Sequence, residues 1–163
     1  MSVVTKMGDK GQTGIGGKKV YKDDILIEAL GQIDELQAIL QIIAVNINVT
    51  YVKGIINKMT KDLWAIMGWL GTGKQSINLD QDIREMETQI KKMEEELGEI
   101  NEFLVFEKQG AVYLNWARTV ARRVERRVVS LSQTREVDKN ILIWFNRLSD
   151  YLFTLGRYAG EKL

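Results

Sequence analysis

The chain has 163 residues, 45% of them hydrophobic and 28% charged, with a formal net charge of +1. That balance predicts one globular domain over residues 1–163 with a sizeable core, and confines any strong positive field to a local patch. It holds no cysteine and no histidine, which excludes disulfides, thiolate nucleophiles, zinc–thiolate sites, imidazole acid–base catalysis and imidazole metal ligands.

Chemistry here falls to carboxylates, lysines, arginines and hydroxyls, or to a reagent that brings its own reactivity. No apolar run approaches the roughly twenty residues that span a bilayer. The opening residues lack the apolar core of a signal peptide. A cytoplasmic location with no membrane partner is the expectation. Proline is absent, which permits long helices.

Residues 1–22 are rich in glycine and lysine and read as a structured loop. Within it runs Thr5-Lys6-Met7-Gly8-Asp9-Lys10-Gly11-Gln12-Thr13-Gly14. Gly8, Gly11 and Gly14 let the backbone approach a ligand and turn N–H groups toward it. Thr5 and Thr13 add hydroxyls, and Lys6, Lys10, Lys18, Lys19 and Lys22 add charge. The plain alternative is a flexible tail.

A first helix begins near Asp23 or Asp24, either of which suits its cap. Leu26, Ala29, Leu30, Ile33, Leu36, Leu40 and Ile43 repeat at three and four along it. Asp34 lies at the edge of that stripe and Glu35 points to solvent. A second helix covers 50–71, with Trp64, Met67 and Leu70 expected on its inner face. Gly71-Thr72-Gly73-Lys74 breaks it. The spacing from Gly68 to Gly73-Lys74-Gln75 imitates a phosphate-binding loop, but Gln75 stands where a Ser or Thr is needed, and a helix rather than a strand precedes it. It reads as a helix end.

A third helix covers 80–97, opening at Asp80 and stopping at Gly98; its charged stretch from Lys91 to Glu96 is a solvated face. Residues 101–110 have no helical period and read as an extended connector. A fourth helix covers 110–133, with Val112, Ala117, Val120, Ala121, Val124, Val128 and Leu131 as its apolar stripe. A fifth covers 137–160 on Val137, Ile141, Phe145, Leu148, Leu152 and Leu155. Strand signals are thin. The fold class is all-α: a five-helix bundle with a structured N-terminal loop.

The fourth helix carries Arg118, Arg122, Arg123, Arg126 and Arg127 around Glu125. Arginine's rigid fork suits phosphate oxygens. On the helical wheel Arg118, Arg122 and Glu125 flank one side of the stripe, Arg123 and Arg127 the other, and Arg126 lies opposite it. A solvated basic face and a nucleic-acid surface are the alternatives. Against the latter, no aromatics interleave with the arginines, so no nucleic-acid partner is expected. On the fifth helix Asn146, Asp150 and Phe153 share a flank, and Asn146 suits an adenine edge or a ribose hydroxyl. Two anion-seeking elements this far apart in sequence suggest a nucleotide held between them.

Four motifs in order resemble one family, the ATP:cob(I)alamin adenosyltransferases of the propanediol-utilisation (PduO-like) type. They are Thr5-Lys6-x-Gly8-Asp9-x-Gly11-x-Thr13; Ala29-x-Gly31-x-x-Asp34-Glu35-Leu36; Arg118-x-x-x-Arg122-Arg123-x-Glu125-Arg126-Arg127; and Asn146-Arg147-Leu148-Ser149-Asp150-Tyr151-Leu152-Phe153. The resemblance spans nearly the whole chain. It implies a homotrimer with active sites between subunits.

It also implies ATP bound by Thr5, Lys6, Met7, Gly8, Thr13, Gly14, Lys22, the segment Arg122, Arg123, Val124, Glu125 and Arg126, and Asn146, with Mg2+ on the triphosphate. Asp34 and Arg118 would form a salt bridge across the subunit boundary. Phe103 would lie under the ring of a cobalamin (corrinoid) substrate and keep a lower cobalt ligand away. Arg122, Arg126, Lys22 and Phe103 are the implied catalytic set. The stretch Val105-Phe106-Glu107-Lys108-Gln109 departs from the short Pro/Gly turn that family members often carry there.

The implied reaction moves the 5′-deoxyadenosyl group of ATP to cobalt, releasing triphosphate. An adenosylcobalamin-dependent mutase is one candidate acceptor of the product. The competing reading is a non-catalytic ATP-binding helical regulatory module.

Overall fold

The computed structural model describes Val4, Lys6 and residues 8–73, 76–101 and 103–163. Thr5 and Met7 of the predicted loop, Lys74 and Gln75 of the rejected phosphate-loop imitation, and Glu102 of the connector lie outside the described residues. The elements are β1 (Gln12–Ile15), β2 (Lys18–Tyr21), α1 (Ile25–Asn46), α2 (Thr50–Thr72), α3 (Asp80–Leu97), α4 (Gln109–Ser132) and α5 (Lys139–Glu161). The helices stand where the periodicity places them: α2 to α5 within two residues at either end, and α1 from within two residues of its expected start through the whole of its stripe.

The caps explain the boundaries. Asp24 accepts from the Leu26 amide at 2.8 Å and opens α1; Asp138 does the same from Asn140 and opens α5. Gly73 closes α2 in the left-handed region at φ 63, where a side chain would be strained. α1 packs on α2 and α4, α4 on α5, and α5 on α3. The shared core is aliphatic, with Trp144 and Phe145 edge to face at 5.2 Å inside it. Each fully buried Leu or Ile of this kind stabilises by about 1.5–3 kcal/mol.

Three expectations are corrected. The loop read at residues 12–21 is an antiparallel hairpin, registered Ile15 to Lys18. Its two-residue turn is Gly16–Gly17, at φ 56 and 80, a turn that demands left-handed residues and twists with the strands. Trp64 is 60% exposed. The inner face of α2 is instead Val52, Ile56, Met59, Leu63, Ile66 and Leu70, and one residue beyond Leu63 turns the side chain about 100° away. Val112 is likewise 42% exposed, because Ala111 and Leu114 take the core positions in the first turns of α4.

Candidate functional site

The hairpin tip docks on the end of α2. A Cβ on Gly16 would stand 2.7 Å from the Gly71 carbonyl, and Ile15 lies against Gly71. Before the hairpin the chain doubles back. The Gly11 amide donates to the Gly8 carbonyl at 3.1 Å, and the Lys22 amide donates to the Gly11 carbonyl at 2.9 Å. The Lys22 ammonium therefore lies over Gly8, 3.0 Å from where a Cβ would be. Two of the predicted ligand residues are joined in this way. Thr13 and Gly14 sit on β1, opposite Val20 and Lys19, and Lys6 holds a left-handed φ of 56 at the turn before them.

The arginine helix divides into two flanks. Toward α1, Arg123 donates to Gln32 Oε1 and Glu35 Oε2, and Arg127 lies 3.6 Å from Glu28. Glu35, expected to point to solvent, reaches α4 because Glu28, Gln32 and Glu35 form one row at spacings of four and three. Asp24 and Arg135 continue that seam with hydrogen bonds of 2.7 and 2.8 Å.

Toward α5, Arg118 donates from Nε to Asn115 at 2.8 Å and stands over the Phe153 ring, 5.9 Å from its centroid. Glu125 accepts from Asn146 Nδ2 at 3.1 Å. Arg147 donates to Asn146 Oδ1 at 2.8 Å and to Glu87 at 2.7 Å. Arg122 and Arg126 are exposed, and their guanidinium groups make no hydrogen bond or ion pair among the described residues. Val124, between them, is fully buried.

Phe103 is 95% exposed on the connector. Phe106 turns inward instead, edge to face with Phe153 at 6.2 Å. Arg157, 6% exposed on α5, pairs with Glu161 and reaches the carbonyl of Gly98, the residue that caps the end of α3. The contact of Arg118 with Phe153 is absent from the sequence reading, although its signal was there: Phe153 sits seven residues beyond Asn146, on the same flank.

Within one chain no hydrogen bond or ion pair among the described residues joins the segment 8–22 to Arg118, Arg122 or Arg126. Asp34 is exposed and Arg118 does not pair with it.

Residues 3–159 match the family model for cobalamin adenosyltransferase. The chain belongs to that family. It is 32% identical to a corrinoid adenosyltransferase of Bacillus subtilis (strain 168), over 99% of this chain and 88% of that one. It is 33% identical to the corrinoid adenosyltransferase MMAB of Homo sapiens, over 98% of this chain and 69% of that one. Among solved structures it resembles a variant PduO-type ATP:corrinoid adenosyltransferase from Lactobacillus reuteri complexed with cobalamin and ATP. The TM-score is 0.92 and the identity 30%, over 98% of this chain and 91% of that one.

Proposed function

We propose that the chain transfers the 5′-deoxyadenosyl group of ATP to the cobalt of a reduced corrinoid, with triphosphate as the leaving group. The observation that carries this reading is the pair of unpartnered guanidinium groups, Arg122 and Arg126, on the helix that matches the family's arginine motif. The nucleophile is the substrate's Co(I). Its electron pair forms the cobalt–carbon bond, and the carbon–oxygen pair departs with the triphosphate. No proton has to be removed, which fits a chain with no histidine or cysteine.

The chain's own work is to align the two substrates and to meet charge developing on the leaving group. Arg122, Arg126 and Lys22 do the latter. Gly8, Thr13 and Gly14 present backbone and hydroxyl groups to ATP, joined by Thr5, Lys6 and Met7. Asn146, held between Glu125 and Arg147, reads the nucleoside. Arg123 and Val124, tied to α1 and to the core, fix the turn that displays their neighbours. Mg2+ rides on the triphosphate, since it favours phosphate oxygens and water over all-protein cages.

As the family resemblance implies, the site is completed between copies in a homotrimer, the segment from Gly8 to Lys22 of one copy facing the Arg122 flank of the next; among the described residues no hydrogen bond or ion pair joins the two within one chain. Asp34 of one copy then meets Arg118 of the next. Phe103, an apolar ring with almost no cover, lies beneath the corrin and excludes water from the lower face of cobalt.

Mixing the protein with reduced cobalamin and ATP tests this. Formation of adenosylcobalamin, with its colour change, supports transfer. ATP binding without that change supports a regulatory module instead, and salt-sensitive binding of RNA or DNA supports a nucleic-acid surface.

A further inference from the structure

α3 packs chiefly on α5, so the facing sides of α2 and α3 stand apart over a cleft of about 390 Å3. This is within the range of small-molecule pockets. Two straps cross it. Tyr51 donates to Gln89 Oε1 at 2.7 Å, and Lys58 donates to Asp82 Oδ1. The floor is Met59, Met86 and Tyr151 of α5.

Tyr151 is 5% exposed, and its hydroxyl has no hydrogen-bond partner among the described residues. Trp144 Nε1 is the buried side-chain polar atom without a partner among the described residues; the Tyr151 hydroxyl is instead open to the cleft that its ring lines. Tyr151 follows Asn146 by five residues, about 140° round the helix, so the cleft lies on a different side of α5 from the proposed nucleotide-reading side chain.

The charges are unbalanced. Asp62, Asp82 and Glu85 line the cleft against one ammonium, Lys58, which is 3.4 Å from Asp62. Burial pushes the Asp62 carboxyl up to about 6; Lys58 pulls it down, and the Asp82 and Glu85 charges push it up again. Burial pulls the Lys58 ammonium down, but its two aspartate partners raise it overall. One lysine leaves an excess of negative charge beside apolar walls. Negative charge on one side of the cleft and apolar side chains on the other suit a cation with an apolar body.

We propose that the α2–α3 cleft binds a small organic ammonium ion with an apolar body. The ammonium sits among Asp62, Asp82 and Glu85 and donates to the Tyr151 hydroxyl. The apolar body lies on Met59, Met86 and the Tyr51 ring.

The full-length protein is titrated with 2-phenylethylammonium, with neutral 2-phenylethanol and with phenylacetate, following backbone amide shifts by NMR. The ammonium gives saturable shifts at Gly54 and Gln89, and the other two bind at least about tenfold more weakly. Asp62→Asn weakens the ammonium about tenfold, Tyr151→Phe weakens it less, and ATP binding is unchanged in both. Affinity rises from pH 5 to pH 7 as Asp62 loses its proton, and is flat in Asp62→Asn. The other groups facing Asp62 are Lys58 of α2, Asp82 and Glu85 of α3 and Tyr151 of α5.

Should Asp62→Asn fail to fold, the exposed substitution Glu85→Gln reports on the same charge. Equal binding of alcohol and ammonium overturns the proposal. So does the absence of saturation by about 10 mM, or ammonium binding that neither substitution alters.

Discussion

On the α1 side of α4 the arginines end on α1 acids; on the other side they do not. Arg123 and Arg127 meet Glu35 and Glu28. The guanidinium groups of Arg122 and Arg126 have no partner among the described residues, and Arg118 rests on an aromatic ring. One residue type repeated along one helix thus serves two purposes, sorted by the hundred-degree step per residue. The paired flank staples α1 to α4. On the unpaired flank no described carboxylate pairs with Arg122 or Arg126, and Glu125 on that side is taken up by Asn146, which leaves two guanidinium groups open to a polyanionic ligand. Counting arginines cannot reveal this division; asking which of them has a carboxylate at its tip can.

Substitutions can break or sharpen the contrast. Arg122→Ala has the largest expected effect: adenosyl transfer falls by about 10²–10³, while the melting temperature holds because no folded contact is lost. Steady-state kinetics and thermal denaturation check both halves. Next comes Asp34→Ala, which weakens trimer assembly about tenfold or more if Arg118 is its partner in the interface. Sedimentation velocity reads this, and an unchanged assembly with unchanged activity makes Asp34 a surface group. Phe103→Ala then lowers turnover of the corrinoid while leaving ATP affinity intact. Equal losses in both would displace Phe103 from the corrin face.

The smallest effect is on the paired flank. Arg127→Ala costs about 0.2–1 kcal/mol of stability, as exposed ion pairs do, and leaves the rate near that of the parent. A rate loss matching Arg122→Ala would erase the distinction between the two sides.

Much of the helical body was legible because aliphatic residues at three and four, opened by Asp24 and Asp80 and closed by Gly73 and Gly98, leave few alternatives; the Asp138 cap of α5 was not read, and that helix was begun two residues early. The hairpin was not legible. Its strands are four residues each, with two lysines on one of them, and lack a clean alternation of apolar and polar positions. The Gly16–Gly17 pair was the only strong cue. Trp64 misled for a related reason: a large aromatic invites burial, but helical phase decides it. The guanidinium cluster was visible as a motif. Its division into paired and unpaired sides depends on Glu28, Gln32 and Glu35, which the sequence sets 88 to 99 residues from the arginines they meet. The α2–α3 cleft had no signal, since it arises from where α5 holds α3.

A crystal structure of the protein with ATP tests the central claim most directly. The account predicts triphosphate oxygens within hydrogen-bond distance of Arg122 and Arg126 on one copy and of the Lys22 ammonium on its neighbour. A triphosphate bound away from the unpaired side of α4, with Arg122 and Arg126 still facing solvent, would contradict it.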